Sequence, residues 1–266
     1  MTQDHTPGTL PELTAETYIN RELSTIDFNW RVLSLAQDPD LPLLERVKFV
    51  AIVGNNMDEF YMVRVASYIQ KVKLGINSTR PDGYTPNQLI YEIRQQTLNL
   101  MDEQRATMQA LFEELKQEDI HIDAVEDLQM LHREAIRAYF YEEVFPVLTP
   151  LAADHARPFP FISNLSLNIG VYLRNGTEDD LDFVRIKVPE VLPRLINVRD
   201  VLKRYANTSD IQNYSGHFVW IEDIIAQNLD LLFPGMTVTE NFPFRVTRNA
   251  DIDYEHEQEE ELIDIS

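Results

Sequence analysis

The spacing of the apolar residues changes part-way along the chain, and no other feature limits the fold as strongly. Between Phe28 and Leu115 they recur about every three to four positions, the period of a helix with one buried stripe. Beyond Pro150 the texture differs. Leu165 to Leu173 (LSLNIGVYL) and Phe183 to Val188 (FVRIKV) alternate, the period of a strand with one buried face. The expected fold class is therefore α+β: an all-α N-terminal helical domain, then an α+β domain with a mainly antiparallel sheet.

Local signals divide the first part into four helices. Ser24 to Asp27 is the expected N-cap region of the first, which carries Phe28, Trp30, Val32-Leu33 and Leu35-Ala36 and stops before Asp38-Pro39. The second runs from Pro42 to Gly54, with Leu44, Val47, Phe49-Val50 and Ile52-Val53 inward. Gly54 suits the left-handed residue that closes a helix. Asn56 then reads as the N-cap of a third helix, Met57 to about Leu74, and Glu59 could complete a capping box. Gly75 to Pro86 is a loop, and Asn87 to Glu118 a long bundle helix.

Ile120 to Ile122 is β-like and marks the change of domain. The expected organisation is a leader over residues 1–17, a helical domain over 18–119 and an α+β domain over 120–266. Leu128 to Val144 is helical. Asn175-Gly176 is a hairpin signal that makes the two alternating segments antiparallel neighbours. Leu195 to Val198 and His217 to Trp220 are further strands, Ile221 to Leu232 is a helix, and Met236 to Arg248 is a strand interrupted by Pro243. The acidic stretch Asp251 to Ile265 is either a solvated tail or the opening turns of a continuing helix. The second reading would make this chain part of a longer protein.

Composition removes several function classes. The 266 residues contain no cysteine, which excludes disulfides, zinc-thiolate sites and cysteine nucleophiles, and fits a cytoplasmic setting. No apolar run reaches membrane-spanning length, although membrane association stays open as an alternative. A formal net charge of −21 argues against a nucleic-acid binder built on a basic surface. Arg outnumbers Lys, and a guanidinium grips phosphate with two prongs. A general compositional preference for Arg explains that excess equally well.

Asn56 is the leading candidate ligand contact. As a cap it would use only its amide oxygen and keep two N–H donors, beside a helix start that favours acceptor-rich ligands. Arg64 could add a fixed positive charge, and Asn55 is a weaker candidate. On these residues alone Asn56 is as well explained as a plain cap.

Five blocks carry a family likeness: RELSTIDFNWRVL (Arg21 to Leu33), PLLERVKFVAIVGNNMDEFYMVRVA (Pro42 to Ala66), LTPLAADHARPFPFISNLSLNIGVYL (Leu148 to Leu173), VRIKVPEVLPRLI (Val184 to Ile196) and LFPG…FRVTRNAD (Leu232 to Asp251). In this order they resemble the first two domains of the long-chain polyphosphate kinases, family one. The resemblance implies an enzyme of four domains: a helical N-terminal domain, a head domain used for dimerisation, and two phospholipase-D-like domains. It implies reversible transfer of the terminal phosphate of ATP to polyphosphate through a phosphohistidine, with Mg2+. It places Asn56 at the nucleotide, as cap and ligand contact together, its NH2 left free for the ligand.

The implied partners are ATP, ADP, inorganic polyphosphate and a second copy bound through the head domain. The strand block Leu165 to Val188 is the expected edge or apolar face for that dimer. Arg21, Arg64, Arg245 and Arg248 are candidates to face the polyanion. None of His5, His121, His132, His155, His217 or His256 is followed two positions on by Lys, so the nucleophile, like the Mg2+ ligands, is expected outside this chain. No metal ligand is assigned, and the chain alone is expected to be inactive. The alternative is a stand-alone, non-catalytic nucleotide-binding or dimerisation module.

Overall fold

The computed structural model describes residues 17–153, 160–174, 181–206 and 210–250. Nearly all of the leader, the Asn175-Gly176 turn, the acidic stretch from Asp251, and His5, His155 and His256 lie outside these residues. The chain divides into two compact units, residues 1–109 and 110–266, with the division inside one long helix.

The first unit is all-α. Its opening helix, α1 (Arg21–Gln37), is capped by Asn20, whose side-chain oxygen accepts from the N–H groups of Glu22 and Leu23, both at 3.0 Å. The cap thus lies upstream of the Ser24 to Asp27 region read from the sequence, and Ser24 is already helical. Asn20 wins because its amide is also held from the other side: Nδ2 donates to Asp82 Oδ2 at 2.8 Å. At the far end of α1 the buried Arg46 donates from Nε to the Ala36 carbonyl at 2.8 Å, satisfying one of the orphan carbonyls of a helix C-terminus.

The expected break at Gly54-Asn55-Asn56 does not occur. Helix α2 (Leu43–Glu59) passes through it, six π-helical residues (Phe60–Val65) follow, and α3 (Ala66–Lys73) continues. The Ala66 N–H reaches back to the Tyr61 carbonyl, the wide turn that defines a π-helix. Tertiary packing overrides the local stop signals. Val50, Val53, Met57 and Phe60 are buried on one side of the run, and Gln104 Nε2 donates to the Val50 carbonyl at 2.8 Å. Leu44 and Ile52, expected inside, are 57% and 41% exposed.

The glycine that does end the run is Gly75, with φ +72°. The N–H groups of Gly75 and Ile76 bond the carbonyls of Val72 and Lys71, each at 3.0 Å, a paired closure that needs a left-handed residue. The long helix α4 (Pro86–Gln117) completes this unit with its first part. Gln37 at the end of α1 donates to Glu103 Oε1 at 2.7 Å and to Thr107 Oγ1 at 3.0 Å.

The second unit carries two sheets. Its strands are β1 (His121–Asp123), β2 (Pro150–Ala153), β3 (Leu167–Arg174), β4 (Leu181–Lys187), β5 (Leu195–Asn197), β6 (His217–Trp220) and β7 (Thr237–Arg245). Its helices are α5 (Met130–Tyr139), extended by a π-helical segment to Val144, then α6 (Val198–Tyr205), α7 (Ile221–Ala226) and α8 (Leu229–Leu232). The larger sheet is antiparallel throughout, in the order β2-β4-β3-β7; the smaller is β1-β6-β5, with β1 parallel to β6. Ile136, Phe140, Ile169, Leu173, Ile186, Val219 and Ile224 are buried in its common core. The α+β class with a mainly antiparallel sheet is therefore observed.

Three local expectations change here. Pro243 does not interrupt its strand: it pairs with Ile169 inside β7, and β7 is an edge strand, where a residue without an N–H is tolerated. The helix expected over Ile221 to Leu232 is broken at Gln227-Asn228, where Asn228 turns its side chain back to the Ile224 carbonyl at 2.8 Å. The block Leu165 to Val188 supplies the two inner strands of its sheet and so offers no free edge; the edges are β2 and β7.

Candidate functional site

Asn56 and Arg64 come together in the helical unit. They line a groove of about 290 Å³ with Thr25, Phe28, Asn29, Glu59, Phe60 and Val63. One wall is α1; the other is the end of α2 and the π-helical turn. The π-helical segment contributes Phe60, Val63 and Arg64, and a local widening of this kind often marks a functional position because it re-aims the side chains beyond it. Asn55 is exposed and is not among the lining residues.

The polar geometry of the groove is set by a residue that sequence reasoning missed. Asn29, only 1% exposed, donates from Nδ2 to the Thr25 carbonyl at 2.9 Å. That bond turns its Oδ1 toward α2, where it accepts from Asn56 Nδ2 at 2.9 Å. The expectation that Asn56 keeps both N–H donors for a ligand is thus corrected, as is its role as an N-cap. No helix begins at Asn56, and one of its donors is spent on Asn29. What remains is one N–H and the amide oxygen, held in a fixed orientation.

The signal for Asn29 was present in the helical spacing. Ile26, Asn29 and Leu33 fall on one stripe of α1, and all three are buried. A lone amide on an otherwise apolar stripe needs a partner, because an unsatisfied buried amide is costly.

Arg64 makes no side-chain hydrogen bond or ion pair among the described residues, so its guanidinium is available to an anion. Phe28 is half exposed and offers a ring face at the same groove, with the Arg31 guanidinium 5.9 Å from its centroid. A volume of about 290 Å³ sits at the lower edge of the range for small-molecule sites, which is about 300–1,000 Å³. A groove of this size suits a small ligand or one part of a larger one.

The other candidate cations serve different ends. Arg21 is exposed at the start of α1. Arg248 is tied into its own unit: Nε donates to the Ile162 carbonyl at 2.7 Å, and its guanidinium lies 4.4 Å from the centroid of Phe161. Arg245 is exposed at the end of β7. Arg21 and Arg64 belong to the helical unit, Arg245 and Arg248 to the α+β unit.

Residues 18–123 match the family model described as the polyphosphate kinase N-terminal domain, and residues 131–265 match the one described as the polyphosphate kinase middle domain. The chain belongs to the polyphosphate kinase family. Its relatives include the polyphosphate kinases of Mycobacterium avium (strain 104), 42% identical over 259 residues, and Mycobacterium tuberculosis (strain ATCC 25177 / H37Ra), 42% identical over 262 residues. Each alignment covers 97% of this chain and 35% of the relative. A crystal structure of polyphosphate kinase from Porphyromonas gingivalis superposes with a TM-score of 0.74 at 26% identity, over 89% of this chain and 34% of that one. This chain thus spans about a third of the length of the polyphosphate kinases it matches. Among the described residues no helix is long and apolar enough to cross a membrane.

Proposed function

We propose that this chain is the N-terminal part of a cytoplasmic polyphosphate kinase and that the Asn56 groove holds part of its nucleotide. The whole enzyme would move the terminal phosphate of ATP to polyphosphate, releasing ADP, and would run the reaction in reverse. One observation carries the assignment of the groove. Asn56 lines the groove with its amide held by a buried partner, which leaves it one donor and one acceptor, beside an available guanidinium and an exposed aromatic ring. An amide edge can pair with the donor and acceptor of a base edge, a ring can stack on its face, and Arg64 can neutralise phosphate. ATP would bring the transferable phosphoryl group; the residues here bind and orient it. Pre-ordering matters because every torsion frozen in advance need not be frozen on binding.

The donor set does not suit Mg2+. Octahedral magnesium takes carboxylate and phosphate oxygens, and the groove offers one carboxylate, that of the exposed Glu59. No step of the chemistry is therefore assigned to magnesium on this chain. The phosphorylated histidine also belongs to the remainder of the enzyme, so this chain alone should not synthesise polyphosphate from ATP. The head unit, residues 120–266, is the proposed dimer-forming part.

The test is steady-state kinetics of the full-length enzyme carrying this sequence. Asn56→Ala should raise the KM for ATP about tenfold, the loss of roughly one well-oriented hydrogen bond. Asn29→Ala should do the same without touching the nucleotide, by releasing Asn56. Unchanged KM in both variants, with folding confirmed by circular dichroism, would remove the groove from the nucleotide site. Polyphosphate synthesis by the 266-residue chain alone would refute the division of labour.

A further inference from the structure

We propose that His121, Asp123 and His217 form a binding site for one divalent transition-metal ion of the zinc type. The inference does not depend on the nucleotide reading, since none of these residues lines the Asn56 groove. Parallel pairing of β1 with β6 sets His121 beside His217 in register, and Asp123 beside Val219. Side chains alternate along a strand, so His121 and Asp123 share one face of β1, and the registered His217 points to that same face. One donor atom from each of the three lies within 4.8 Å of the others, and all three side chains are half-buried.

The contacts within the cluster suit this use. The two imidazole rings are stacked, with centroids 4.3 Å apart and planes 6° from parallel. His217 Nδ1 lies 2.6 Å from Asp123 Oδ2, so its N–H donates to that carboxylate. The contact with Asp123 accounts for one histidine; the ring of the second, stacked on the first at the same sheet register, makes no hydrogen bond among the described residues. Two imidazoles and one carboxylate are a common ligand set for zinc-type ions.

Binding replaces a proton. The ion takes the place of the hydrogen between Nδ1 and Oδ2, and His217 ligates as a neutral imidazole with its one proton on Nε2: the Nδ1 proton of the neutral ring is exchanged through solvent to Nε2, and an imidazolium loses it to solvent outright. Zinc–nitrogen and zinc–oxygen bonds of about 2.0–2.2 Å at a tetrahedral angle need donors about 3.3 Å apart. The pair must therefore open by less than about 1 Å, and one ring must turn about its ring torsion, which has a broad minimum. The fourth position would be left for water. The backbone beneath is firmly set. The His121 N–H bonds the Gly216 carbonyl at 2.8 Å, and a Cβ on Gly216 would lie 1.7 Å from the Asp119 carbonyl oxygen, so only glycine fits. The Tyr214 ring, 4.9 Å from that of His217, covers one side.

A chain with a formal net charge of −21 will attract cations generally, so the test must separate site from atmosphere. Co2+ alone is titrated into the metal-stripped chain, with its visible d–d absorption as readout, and Zn2+ alone is then added in competition. The expected result is saturation at one equivalent of Co2+ and displacement by Zn2+. His121→Gln, His217→Gln and Asp123→Asn should each weaken binding at least tenfold, and excess Mg2+ should leave it unchanged, because imidazole is a poor magnesium ligand. The proposal is overturned by absence of saturable binding, by equal affinity in the histidine variants, or by displacement with Mg2+. If His217→Gln fails to fold, His121→Gln on the edge strand β1 decides.

Discussion

Replacing Gly54 by alanine tests the continuity of the helix that builds the groove. In the structure Gly54 is an interior residue of α2, and a Cβ there would meet Gln104 Nε2 at 3.5 Å, an ordinary contact. Alanine is favoured over glycine inside a helix by about 0.8–1.0 kcal/mol. Gly54→Ala should therefore stabilise the helical unit by about 1 kcal/mol. A left-handed Gly54 closing the helix would give the opposite sign, since a Cβ in that conformation costs roughly 1–2 kcal/mol. Gly75→Ala is the matched control. Nothing lies within 4 Å of its Cβ position, but its φ is +72°, so backbone strain alone should destabilise by roughly 1–2 kcal/mol. For a unit of this size 1 kcal/mol shifts Tm by roughly 4–8 °C. Urea unfolding followed by far-UV circular dichroism separates the two cases. A Gly54→Ala variant less stable than the parent by 1 kcal/mol or more would refute the continuous helix, and with it the shape of the groove.

Two further outcomes concern the α+β unit. Burial pushes the Tyr205 hydroxyl up to about 12, and its hydrogen bond to Glu143 adds to the effect. The folded value is above the ordinary 10.0, so this contribution is whole below about pH 10 and disappears as the pH rises through about 12. Tyr205→Phe should flatten the loss of stability over that interval, measured as Tm against pH; an unchanged profile would refute the assignment. On β4 the buried Arg185 donates from Nε to Asn168 Oδ1 at 2.7 Å, and Asn168 is fully buried. Arg185→Ala strands that acceptor, and chemical denaturation should show a loss of about 1–3 kcal/mol; a neutral result would mean the site relaxes or fills with water.

Asn56 and Arg64 are legible as candidates in the sequence, but Asn56 is an interior residue of α2 and not an N-cap. A Gly-Asn-Asn run reads as a helix stop because each residue favours turns and caps on its own. The structure keeps the helix going because Val50, Val53, Met57 and Phe60 gain burial only if the run is unbroken. Asn29 stayed hidden because its partner is distant in sequence, on another helix. The histidine–aspartate cluster was equally out of reach: His121 and His217 lie far apart in the chain, and only the parallel register of β1 and β6 makes them neighbours.

Apolar spacing determined that a helical part is followed by one with strands, because period and fold class are linked by which face must leave water, and the Asn175-Gly176 turn signal made those strands antiparallel. The sequence blocks alone carried the likeness to polyphosphate kinases. Tertiary structure decided where helices stop, which strands form the sheet edges, and which amide orients Asn56. Each of these depends on a partner brought in by folding, and a local signal worth about 1 kcal/mol yields when several buried side chains oppose it.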